Sequence, residues 1–190
     1  ENTSYTIEVS ALESPASNDH KYLGAKGQET TVGLTESTAF VKDFALLCAD
    51  CDKEIKMPLV LYELGKWDLM IDETINSKDS LEYLFNILKE NQTIIVELAA
   101  HTDTRGTDKS NKVLSQKRAE TCVNYLIERG IDPARMVPVG YGETRPIVSD
   151  AQIASLPSNE EREIAHQKNR RTVFQVLSFD FVPKEAEGTN

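Results

Sequence analysis

The chain has no surplus of positive charge, no long apolar run and few side chains suited to metal or redox chemistry. Its 21 Lys and Arg are outnumbered by 31 Asp and Glu, a formal net charge of −10. No basic field is available to follow a phosphate backbone, which argues against nucleic acid as a partner. No apolar stretch approaches the roughly 20 residues of a membrane span, so no transmembrane segment is expected in this chain. The histidines, His20, His101 and His166, lack zinc-site spacing, so neither metal nor cofactor is expected. Cys48 and Cys51 form a CxxC, by itself half a zinc knuckle or a redox pair. Its setting, LLCADCDKE, reads as a strand end and linker, which fits a local disulfide or two thiols better. No GxSxG is present, and His101 precedes Asp103 on the same turn instead of sitting beside a nucleophile. It reads as a packing or hydrogen-bonding residue at a strand end. The start at Glu1, without methionine or leader, reads as a processed or excised piece.

The remaining composition, 39% hydrophobic and 27% charged, is that of a globular domain. Residues 1–50 read as β-rich, with alternation at Tyr5, Ile7 and Val9 and again at Phe40 and Phe44. Two or three strands cannot build an independent core, so this segment reads as packed on the rest or as the end of an upstream module. A linker is expected over 51–56. From Pro58 the pattern becomes α/β (α+β), a mixed sheet with helices packed on it. PLVLYEL reads as a strand. A helix is predicted from Ser77 to Glu90, with Leu81, Leu84, Phe85 and Leu88 on one face. TIIVELAA reads as a strand covered on both faces. A second helix is predicted from Lys109 to Arg129, with Ala119, Cys122, Val123 and Leu126 inward and Gly130 as its stop. RMVPVGY is a short strand. Ser158 and Glu161 have capping-box spacing and open a third helix. RRTVFQVLSF closes the sheet, and 181–190 reads as a solvated tail. Trp67 reads as a core or sheet-edge packing residue, with cover over a pocket as the alternative.

The segment AAHTDTRGTDKSNKVLSQKRA places Asp103 just past the central strand, where open α/β sheets present binding residues. Gly106 permits a tight turn. Asn111, Leu114 and Arg118 follow at i, i+3 and i+7, one stripe at the edge of the buried face. This spacing describes a pocket with an anionic corner, a cationic corner and an apolar floor, suited to a ligand bearing a close ammonium and carboxylate. Spacing alone favours a structural Asp–Arg bridge, or Asp103 as a helix or turn cap, over a ligand pocket.

HTDTRG, Asn111, LSQKRA, VGYGETRP and NRRTVFQV occur in the order and spacing of the OmpA C-terminal-like domain, and the chain resembles that family over residues 57–180. The resemblance implies non-catalytic binding of peptidoglycan through the diaminopimelate-containing stem peptide. It also implies a periplasmic, outer-membrane-associated location, often on lipoproteins, with outer-membrane or periplasmic complex subunits as partners. Carried over residue by residue, Asp103 and Arg118 would hold the diaminopimelate side chain, with Asn111, Leu114, Arg105 and Arg170 around it. The family's F-D-x-D turn is replaced by YELGKWDL, with Glu63 and Gly65 where aspartates are common. That puts a ligand role for this turn in doubt. It also resembles a Bacteroidetes-type branch, in which a carboxypeptidase-regulatory-like module precedes the domain and the whole can serve type IX secretion. Two other readings stay open: a hydrolase acting on peptidoglycan, and the cell-wall anchor of an ion-driven stator.

Overall fold

Apolar residues at helical spacing define the first long element. Leu81, Leu84 and Leu88 recur on one face of helix α1 (Ser77–Glu90), and all three are fully buried. Asn76 caps its start by accepting from the Lys78 amide. A computed structural model of the chain describes residues 4–9, 22–23, 25–30, 47–48, 53–63, 65–71 and 76–183. Within them, β1 (Ser4–Val9) pairs antiparallel with β3 (Ala25–Thr30), and β2 (Tyr22–Leu23) pairs with β4 (Leu47–Cys48). Leu23 is buried in the main core cluster. Cys51, His20 and the stretch around Phe40 and Phe44 lie outside the described residues, as does the Cys48 side chain.

The main sheet has the order β5-β8-β6-β7, built from Ile55–Lys56, Thr172–Ser178, Ile95–His101 and Met136–Gly142. The β6–β7 pair is parallel, while β8 runs antiparallel to both β6 and β5. Strand periodicity sets the faces. Val96, Leu98 and Ala100 turn toward the helices with Val176 and Phe174, while Glu97, Ala99 and His101 alternate with them. Every residue from Val96 to His101 is buried, as expected for a strand covered on both faces.

Helix α2 (Asp108–Glu128) brings Ala119, Cys122, Val123 and Leu126 into the same core. The chain then passes through a 3-10 turn at Pro133–Arg135 into β7. Buried Arg135 donates to the carbonyls of Ile94, Leu88 and Asn91, joining the end of α1 to the approach to β6. Two short helices follow, α3 (Asp150–Ser155) and α4 (Asn159–Asn169). The Ser158–Glu161 capping box forms as the spacing predicts.

Two readings need correction. The described part of PLVLYEL, residues 58–63, is not a strand of the sheet: among the described residues it makes an isolated bridge, Tyr62 to Leu69, and Met70 donates to the Leu61 carbonyl. The edge position belongs instead to Ile55–Lys56, within the segment read as linker. Helix α3 is absent from the sequence reading because six residues carry too short a periodic signal; its mark is the box between Ser149 and Gln152. Phe181, read as tail, donates its amide to Thr93 and lies near Arg135.

Candidate functional site

The ends of β6, α2 and α4 converge on a cleft of about 550 Å³. All six residues singled out in the sequence line it: Asp103, Arg105, Asn111, Leu114, Arg118 and Arg170. The loop after β6 holds Asp103, which is 5% exposed. Gly106 turns this loop at φ 120°, a region that strains other residues. A Cβ at that position would also press on the Asn111 amide at 3.3 Å. Thr107, not Asp103, caps α2, forming a box with Ser110. The Asn111 Nδ2 donates to the carbonyls of Asp103 and Arg105 and to Glu143, so it braces the loop from the helix.

The charges are arranged differently from a simple Asp–Arg pair. Asp103 Oδ2 accepts from Arg105 Nε at 2.9 Å and from Arg170 Nη1 at 2.6 Å. The same two arginines meet again at Glu163, 2.9 Å from Arg105 and 2.7 Å from Arg170. Burial pushes the Asp103 carboxyl upward, but hydrogen bonds from Arg105 and Arg170 outweigh it and hold the group below its usual range.

Arg118 stands apart. It is 8% exposed, donates Nε to the Lys66 carbonyl at 3.0 Å, and lies 4.6 Å above the Tyr62 ring. Among the described residues it has no carboxylate partner, and its Nη atoms have no acceptor. Burial pulls its pKa below the ordinary arginine value. A desolvated guanidinium with open donors is a strong point of attraction for a carboxylate. Among the described residues, the cleft therefore has one pole where an acid is paired with arginine and another where a guanidinium keeps open Nη donors.

Arg170 is the capping residue at the end of α4, not a strand residue, so strand alternation does not separate it from Arg171. Both line the cleft, but Arg171 is engaged with Glu54 at 3.1 Å and with the Arg145 carbonyl. Tyr62 and Glu163 were missed by the sequence reading. Tyr62 is hidden in a run that looks like a strand; its hydroxyl meets Cys122 and Thr172. Glu163, Gln167 and Arg170 stand at i, i+4 and i+7 on α4, a spacing that marks one face. Trp67, read as a packing residue, is 41% exposed and sits outside the core cluster.

His101 is buried at the cleft floor, stacked on Tyr141 at 5.3 Å, with Glu54 at 3.5 Å and Arg171 and Arg145 nearby. Burial, then Arg171, lowers its pKa from 6.5 to about 4. The unfolded chain thus takes up a proton near pH 6.5, while the fold refuses it until about pH 4. The His101 contribution to stability is complete above pH 6.5 and falls as pH drops toward 4, by at most about 1.4 kcal/mol per unit. Urea midpoints measured across this window should show a steeper acid loss for the native chain than for His101→Phe. Identical slopes would refute the assignment.

A model of the OmpA family matches residues 68–160. The matched segment contains Asp103, Asn111, Leu114 and Arg118 but neither Tyr62 nor Arg170. The chain is 36% identical over 88 residues to outer membrane porin F of Pseudomonas fluorescens, covering 46% of this chain and 27% of that protein. It is 34% identical over 98 residues to the peptidoglycan-associated lipoprotein of Buchnera aphidicola, covering 52% and 49% respectively. The match thus spans half or less of these relatives. Among solved structures, the peptidoglycan-associated lipoprotein from Burkholderia pseudomallei is 23% identical, covering 64% of this chain and 90% of that one, with a TM-score of 0.48. Among the described residues no group of His, Cys, Asp and Glu could hold a metal ion, and no helix is long and apolar enough to cross a membrane.

Proposed function

We propose that the cleft binds peptidoglycan without cleaving it, through the diaminopimelate side chain of the stem peptide. The domain would then anchor an outer-membrane-associated complex to the cell wall from the periplasmic side. The observation that carries this reading is Arg118, a buried guanidinium whose Nη donors face a cleft and have no acceptor among the described residues. The diaminopimelate carboxylate would take those donors. Its ammonium would approach Asp103 at the other pole, sharing the carboxylate with Arg105 and Arg170. The OmpA-family match over 68–160 supports the same ligand class. The LGKWDL turn favours a finer assignment, in which the tethered complex is a type IX secretion machine.

Incubation with purified sacculi tests the reading. The chain should co-sediment at low and moderate salt, and mass spectrometry should find no newly released muropeptide fragments. A chain that stays in the supernatant, or that liberates fragments, would contradict it.

A further inference from the structure

Beside the cleft runs a second groove of about 580 Å³. It shares Gly65, Asn111 and Leu114 with the cleft, so the two form one continuous surface. Its far wall is a single stripe of α2. Lys109, Val113 and Lys117 stand at i, i+4 and i+8, which puts a cation, an apolar side chain and a second cation in line. Trp67 faces this stripe. The Lys117 Nζ lies 3.8 Å from the centre of the indole ring, a contact that holds the ring against the groove. Trp67 and Val113 remain 41% and 50% exposed, an apolar pair left open in a chain whose net charge is −10.

We propose that this groove is a second subsite, taking the alanyl–γ-glutamyl segment through which diaminopimelate is joined to the glycan. The proposal rests on the stem-peptide reading of the cleft. Leu114 lines both the cleft and the groove, so a ligand whose diaminopimelate is seated at Arg118 can continue past Leu114 onto this surface. The stripe is about 12 Å long, the span of roughly three to four extended residues. The segment has the matching chemistry. Its free glutamyl carboxylate meets Lys109 or Lys117, and its alanyl methyl packs on Trp67 and Val113. The lysines also explain why an acidic chain would tolerate an acidic peptide here.

Trp67 is the single tryptophan of the chain, so its emission reports on the groove directly. Two probes are compared: free meso-diaminopimelate, and the tripeptide L-alanyl-γ-D-glutamyl-meso-diaminopimelate. The tripeptide should shift Trp67 emission and bind more tightly, while free diaminopimelate should leave the emission unchanged. Trp67→Ser and Lys117→Gln should each weaken tripeptide binding by about 3- to 10-fold and leave diaminopimelate binding as it was. Both positions lie outside the core cluster, and circular dichroism confirms folding of each variant. If the tripeptide binds through Arg118 yet Trp67 emission and both variants are unaffected, the subsite is refuted and the cleft reading stands. If neither probe binds, the stem-peptide reading fails and the subsite fails with it.

Discussion

Arg118→Ala will reduce stem-peptide affinity by roughly 10- to 150-fold, the value of one charge-assisted hydrogen-bond pair of about 1.5–3 kcal/mol. The effect should fall on binding more than on folding. Among the described residues, Arg118 gives one hydrogen bond, to the Lys66 carbonyl, and stacks on Tyr62. Removing them costs little beside the loss of two Nη donors that line the cleft and have no acceptor among the described residues. Asp103→Ala is the less clean experiment. It would leave Arg105 and Arg170 with only Glu163 between them as acid, so stability and binding would fall together. A chemical control separates the roles. Amidating the diaminopimelate carboxylate keeps the ammonium but takes the anion from Arg118. Calorimetric titration should then show wild-type affinity falling by about as much as in Arg118→Ala, and the variant should scarcely distinguish the two peptides. Equal binding of both peptides by the native chain would mean that Arg118 holds something else.

Gly140→Ala will destabilise the fold by about 3 kcal/mol or more, the upper end of overpacking costs. A Cβ at Gly140 would lie 2.1 Å from the Gln116 backbone nitrogen and 2.5 Å from its Cα. The obstacle is helix backbone, which cannot rotate aside as a side chain can, so α2 would have to lift from β7. That displacement breaks bonds made across the contact. Gly140 donates to Gln116 Oε1 at 2.8 Å, Gly142 donates to Ser115 Oγ at 2.8 Å, and Gln116 Nε2 donates to the Pro138 carbonyl at 3.1 Å. Because α2 also carries Asn111, Leu114 and Arg118, ligand affinity should fall with the fold. Urea unfolding within 0.5 kcal/mol of wild type, roughly the level of a neutral surface change, would show that the helix does not approach the strand this closely.

Elements with their own local signal were readable from the amino-acid order alone. The leucines of α1 and the inner stripe of α2 repeat at helical spacing, and Ser158 with Glu161 marks the start of α4. The apolar run at β6 announces a strand covered on both faces. One wall of the cleft was legible for the same reason: Asn111, Leu114 and Arg118 lie on one helix, where 100° per residue assigns them to one side. Partner choice was not legible. Asp103 pairs with Arg170, 67 residues away, and Arg118 rests on Tyr62 and the Lys66 carbonyl, 52 residues away in the latter case. Local spacing places a charge on a face but not opposite a particular counter-charge. The stretch 58–63 illustrates the converse. Its apolar alternation resembles a strand, yet the sheet edge is taken by Ile55–Lys56, and the run instead delivers Tyr62 beneath Arg118. Amino-acid order determined the long helices α1 and α2, the apolar strand β6 and which of their residues share a face, because those depend on neighbours within a few positions. Tertiary packing alone decided that Asp103 is paired with Arg105 and Arg170 and that Arg118 keeps open donors among the described residues, because ion pairing follows distance in space.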